Sequence, residues 1–162
     1  MFPVGEFKSA RIADIAGGSL VLCKWDTKFR LALAVILPAP QGPGLLLLEG
    51  ERQPTFVTPT GYCLDLGKPI VQSSLTADSI ADATQRAPAS GYLIAHPGGI
   101  LIMGIGIRSM MQTRCTWDLD TGELRDVPLE SVVYLTKWLL GKRDASGQYQ
   151  TLFAFESPQR VA

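Results

Sequence analysis

His96 is the only histidine in the chain and stands in the turn sequence His96-Pro97-Gly98-Gly99. An imidazole titrates near neutral pH and suits general acid–base work. In a hydrolase-like site its carboxylate partner would be Asp65, Asp118 or Asp120, each adjoining a predicted strand. The sequence carries no GxSxG elbow to present a serine nucleophile, and Ser90-Gly91-Tyr92 is not one. The same residues also read as plain turn chemistry, because aspartates beside a turn bond their own backbone. No residue is therefore assigned as catalytic, and an enzyme using His96 with one of these aspartates stands as the alternative reading.

Cys23, Cys63 and Cys115 together with His96 match the ligand count of a Cys₃His zinc site. Their spacing contains no close pair such as CxxC, so neither a metal nor another cofactor is expected. The cysteines read as small apolar core residues. Three of them, far apart in sequence, speak against a disulfide framework and fit a reducing, cytoplasmic setting. Gly104-Ile105-Gly106-Ile107-Arg108-Ser109 has the outline of a GxG loop, but no helix opens after it, so phosphate binding is discarded.

Trp25, Trp117 and Trp138, with Lys24 and Arg114 nearby, are the residues that could stack bases. A β-barrel binding single-stranded nucleic acid is the second alternative. Charge argues against it: 15 basic and 15 acidic residues cancel, and each half of the chain is balanced as well. Nucleic-acid binding normally rests on a positive footprint.

The stretch around which the chain is organised is 91–107, GYLIAHPGGILIMGIGI, set within a run free of Asp, Glu, Lys and Arg between Arg86 and Arg108. A transmembrane helix needs about 20 apolar residues in a row, and Pro97-Gly98-Gly99 interrupts this run. A β-hairpin fits instead, because proline presets φ at the first turn position and glycine accepts the positive φ that follows. With two-residue alternation, Ile100, Ile102, Gly104 and Gly106 share one face of the second strand; Leu101, Met103, Ile105 and Ile107 share the other. Neither face carries charge, so a central strand is expected. Glycine inside a strand marks a bend or the close approach of another group. Gly104 and Gly106, with His96, Trp25 and Trp117, are the candidate ligand-binding residues. Leu101, Met103, Ile105 and Ile107, continued by Met110 and Met111, offer an apolar surface for a partner or a second copy.

The positioning elements are mostly short strands. Residues 19–25 and 29–37 read as a hairpin, followed by strands near 45–48, 55–58, 62–66 and 70–72. Residues 7–16 lean to a strand over 11–15. PAPQGPG at 38–44 holds three prolines and two glycines and reads as a surface loop that no regular element crosses. Residues 112–119 and 123–127 read as a second hairpin, and 149–155 as a last strand. Two helices are predicted. One spans 76–87, with Thr76 as N-cap and Leu75 and Ile80 as a staple. The other spans 128–140, with Leu129, Val132, Val133, Leu135, Thr136, Leu139 and Leu140 on one side and Gly141 past its end.

The 162 residues fit one domain, 1–162, with a mainly β (α+β) fold: a bent antiparallel sheet, barrel or sandwich of about ten short strands. The start, MFPVGEFKSAR, does not read as a signal peptide. Cys23-Lys-Trp-Asp26 and Cys115-Thr-Trp-Asp118 echo each other, but their flanks do not align. The function expected is a non-enzymatic binding or assembly domain acting through apolar sheet surface, as a homo-oligomer. A protein partner or a small apolar ligand would be its other target, without a membrane span.

Overall fold

The computed structural model describes residues 8–50, 54–81, 89–128 and 132–157. Alternating apolar residues produce a long succession of strands. β1 (Lys8–Arg11) leads into a single 3-10 turn at Ile12–Asp14. β2 (Leu20–Trp25) and β3 (Lys28–Leu37) form the expected hairpin, with Asp26 in its turn at φ 56°. β4 (Gly42–Leu47), β5 (Thr55–Val57), β6 (Tyr62–Gly67) and β7 (Ile70–Gln72) follow. The rest are β8 (Ile80–Ala81), β9 (Leu93–His96), β10 (Gly99–Arg108), β11 (Met111–Asp118), β12 (Val133–Leu135), β13 (Lys137–Arg143) and β14 (Tyr149–Glu156).

Among the described residues, eleven strands form one mixed sheet in the order β1-β6-β2-β3-β4-β5-β10-β9-β12-β8, with β11 added on β10, and this sheet does not close into a barrel. A second sheet has the order β14-β13-β7.

β10 is the branch point. One edge pairs with β11 from Leu101 to Arg108. The other edge is shared: Gly99–Ile102 pairs antiparallel with β9, and Ile105 pairs parallel with Thr55 of β5. The uncharged run is therefore a central strand because both its edges and both its faces are used. Ile102 belongs to the main core with Leu20, Leu33, Leu46, Trp117, Trp138, Leu140 and Phe153, a cluster drawn from both sheets. Leu101 and Met103 face a separate cluster with Tyr92, Ile94 and Tyr134. A third cluster, rich in small residues, holds Val21, Cys23, Ala32, Ala34 and Cys63 on the opposite face of β2, β3 and β6.

Neither predicted helix forms in the described residues. Within 76–87, a tight turn at Thr76–Ser79 closes on the Ser79 hydroxyl and leads straight into β8; residues 82–88 lie outside the description. Within 128–140, the chain runs as β12 and β13, and residues 129–131 lie outside the description. Tyr134, Thr136, Trp138 and Leu140 are buried at every second position. That is strand periodicity, carried by aromatic and β-branched residues that suit a pleated surface.

Three boundaries also move. The first strand lies at Lys8–Arg11, and its predicted interior at 12–14 is the 3-10 turn. β4 begins inside the proline-rich loop, with Pro43 opposite Ile36. The Ile36 N–H is bonded to the Gly122 carbonyl, away from β4, so this pair needs no donor from proline. The hairpin expected across 112–127 shrinks on its second side to a bridge between Trp117 and Leu124, while β10 and β11 form a long hairpin.

Candidate binding surface

The β9–β10 hairpin sets His96 opposite Gly99 at its tip, where the imidazole is half-buried. The Gly98 N–H donates to His96 Nδ1 at 3.1 Å, which places the proton of a neutral ring on Nε2. None of the ion pairs among the described residues involves His96.

Of the three aspartates named as its partners, Asp65 and Asp118 are held by backbone N–H groups and Asp120 faces a lysine. Asp65 Oδ1 accepts from Gly67 N–H at 2.8 Å. Asp118, buried, accepts from the N–H groups of Asp120 and Thr121 at 2.8 and 3.0 Å, and its other oxygen lies 3.4 Å from Arg125 Nε. Asp120 lies beside Lys68 at the surface. The Asp65 and Asp118 side chains each tie a turn, as short carboxylates do. Among the described residues no three His, Cys, Asp or Glu side chains are grouped to hold a metal ion.

The space over Gly104 and Gly106 is occupied by the protein itself. Trp117 pairs with Ile102, and its ring reaches diagonally across both glycines. A Cβ on Gly104 would stand 3.1 Å from the ring and 2.8 Å from Leu46; a Cβ on Gly106 would stand 3.0 Å from the ring and 2.7 Å from Cys115 Sγ. A Cβ at either position would require the Leu46 tip, the Cys115 sulfur or the indole to shift, so glycine is what lets the ring lie this close to the strand. Trp117 is fully buried and stacks on Phe56 at 6.4 Å between centroids. Trp138 is buried too, against Phe153 and Phe155, with its indole N–H donating to the Gly91 carbonyl at 2.8 Å. Trp25 is half-buried beside the small-residue cluster. The three tryptophans do not share a surface, and the structure brings together only Gly104, Gly106 and Trp117 of the five candidate ligand-binding residues.

A different set of residues faces solvent. Arg11 pairs with Tyr62 across β1 and β6, and Lys24 pairs with Phe29 across β2 and β3. The ladder between β6 and β2 ends with Cys63 opposite Cys23, so continuation of the register brings Tyr62 next to Lys24. Arg11, Tyr62, Lys24 and Phe29 thus form one row over four neighbouring strands, on one face. Phe29 is 64% and Tyr62 65% exposed. Arg11 lies over the Tyr62 ring, 6.0 Å from its centroid, with Nε 3.4 Å from the phenol oxygen. An open cleft of about 540 Å³ adjoins the row, lined by Arg11, Ile12, Pro43, Pro59 and Tyr62 among others.

A second exposed apolar feature caps the β10–β11 hairpin. Ser109 and Met110 both take positive φ, 48° and 62°, and Met110 is 95% exposed beside exposed Met111. The methionines flagged in the sequence therefore stand at a hairpin tip, while Leu101 and Met103 are buried beneath.

No known family model matches the chain, and neither does any curated protein or solved structure. Among the described residues no helix is long and apolar enough to cross a membrane.

Proposed function

We propose that this protein is a non-enzymatic binding and assembly domain, and that it joins a second copy of itself through the Arg11–Tyr62–Lys24–Phe29 row. The observation that carries the reading is the exposure of two aromatic rings, at 64% and 65%, side by side with two cations across four strands. Rigid aromatic rings and arginine are the side chains that dominate protein interfaces. The cleft along Pro43 and Pro59 gives the row a concave neighbour into which a ring of the partner copy fits. A chain with equal numbers of acidic and basic residues also offers carboxylates to the two cations of its copy. Two-fold pairing is the commonest way for soluble chains to self-associate.

The turn-bound states of His96, Asp65 and Asp118, and the placement of Asp120 beside Lys68, favour this reading over a hydrolase. Alternation of rings with cations also supports a second reading, a stacking platform for single-stranded nucleic acid. Light scattering over a dilution series separates the two. The proposal expects a dimer that dissociates on dilution and a monomeric Phe29→Ser/Tyr62→Ser variant with unchanged folding. A monomer at every concentration that retains an oligonucleotide at low salt overturns it in favour of the second reading.

A further inference from the structure

Cys23 and Cys63 lie forty residues apart in sequence but directly opposite each other on β2 and β6. The hydrogen-bonding pattern on either side establishes what kind of pair they form. On the β1 side of β6, the Ile12 N–H donates to the Gly61 carbonyl. Counting by two along that antiparallel register makes Ala10 and Cys63 a hydrogen-bonded pair. On the β3 side of β2, the Ala34 N–H donates to the Ser19 carbonyl, and the same count makes Cys23 and Arg30 a hydrogen-bonded pair. Both cysteines therefore direct their backbone groups away from each other. They form a non-hydrogen-bonded cross-strand pair, the narrower of the two kinds, with Cα atoms about 4.5 Å apart. A disulfide accepts Cα separations of about 4.4–6.8 Å.

Both side chains are buried on one face, within the cluster of Val21, Ala32 and Ala34. The Cys63 thiol donates weakly to the Ala10 carbonyl at 3.9 Å, so a rotation about χ1 redirects it from β1 towards Cys23. β1 is four residues long, has mostly exposed side chains and pairs with β6 next to Cys63. Short peripheral pairings open locally at low cost, which gives an oxidant access. Cys115 stands apart, on β11 beside Gly106.

We propose that Cys23 and Cys63 are a reversible oxidation site that closes a cross-strand disulfide between β2 and β6 in the folded protein. The co-reactant is a small-molecule disulfide. One cysteine thiolate attacks its S–S bond, forming a mixed disulfide and releasing one small thiol. The second cysteine then attacks the protein-side sulfur, forming the Cys23–Cys63 bond and releasing the second small thiol. Two thiol protons are lost from the protein and taken up by the two leaving thiolates. The crosslink joins the two strands that carry Lys24 and Tyr62, one residue away on each, and so braces the exposed row.

The test is incubation of the native full chain with glutathione disulfide at mildly alkaline pH, followed by alkylation, intact mass measurement and peptide mapping. The expected result is loss of two hydrogen atoms, a linked pair of peptides containing Cys23 and Cys63, an alkylated Cys115, and full reversal by dithiothreitol. The Cys63→Ala variant is expected to form no internal link. Cys23 and Cys63 both recovered alkylated, a link through Cys115, or glutathione retained on Cys23 or Cys63 as the end product overturns the assignment.

Discussion

The β10–Trp117 region and the Arg11–Tyr62–Lys24–Phe29 row are built from the same parts, aromatic rings laid across antiparallel strands, yet they end in opposite states. Over β10 the strand removes its own side chains at Gly104 and Gly106, and the neighbouring strand fills the gap with Trp117 at 0% exposure. In the outer row no such gap exists, and Phe29 and Tyr62 stand in solvent. An aromatic residue beside a glycine pair is thus a packing device, whereas an aromatic residue among charged neighbours at a strand end is available to a partner. The first kind stabilises the fold by removing area from water; the second does so only when something covers it.

The largest expected effect lies in the first region. Trp117→Ala empties the space over both glycines and against Phe56, and is expected to destabilise the protein by about 3–5 kcal/mol in urea unfolding. A loss under about 1 kcal/mol would show that the ring is not a packing element. Gly106→Ala comes next: its new Cβ meets Cys115 Sγ at 2.7 Å, for an expected cost of about 1–3 kcal/mol. Adding Cys115→Ala is expected to recover part of that cost. Additive effects in this double-mutant cycle would contradict the contact. In the outer row, Phe29→Ser and Tyr62→Ser should each change the stability of the monomer by no more than about 0.5 kcal/mol, because both rings are mostly exposed and Tyr62 meets only the exposed Arg11 side chain. A large loss for either would move it from the interaction surface into the core.

The smallest effect concerns a tie between the two sheets. Asp78, just before β8, meets Lys137 of β13 at 2.9 Å, and Lys137 also meets Glu156 of β14 at 2.9 Å. The Thr76 hydroxyl, then the Lys137 ammonium, hold the exposed Asp78 carboxyl down to about 2. A folded-state pKa below the unfolded one stabilises the protein above the usual aspartate range, and this contribution fades as pH falls towards about 2. An NMR titration should find the Asp78 midpoint near that value, and Lys137→Met should raise it. An ordinary midpoint in the native protein would remove the tie.

These contrasts also account for what could be read before the fold was known. Alternating apolar residues identified β2, β3 and the β9–β10 hairpin, because local pattern and local structure agree there. At 128–140 the apolar residues are so dense that a helical face and a strand face can both be drawn; only burial at Tyr134, Thr136, Trp138 and Leu140 separates them. The turn at Ser109-Met110 carries no sequence signal, because both central residues take positive φ without the glycine or asparagine that usually marks it. Arg11, Tyr62, Lys24 and Phe29 could not be grouped from sequence, since the pairing of β6 with both β1 and β2 joins segments about forty to fifty residues apart. The Cys23–Cys63 pair was hidden for the same reason. The seat of Trp117 over the glycines was hidden likewise, because it follows from the β10–β11 pairing that sets Trp117 opposite Ile102.

A second copy covers the outer row in the proposed dimer, while the Trp117 region is covered by its own chain. Hydroxyl-radical footprinting across a dilution series measures both at once. The prediction is that Phe29 and Tyr62 become progressively more protected as concentration rises, while Trp117 stays unreactive throughout. Reactivity of Phe29 and Tyr62 that is high and independent of concentration would contradict it.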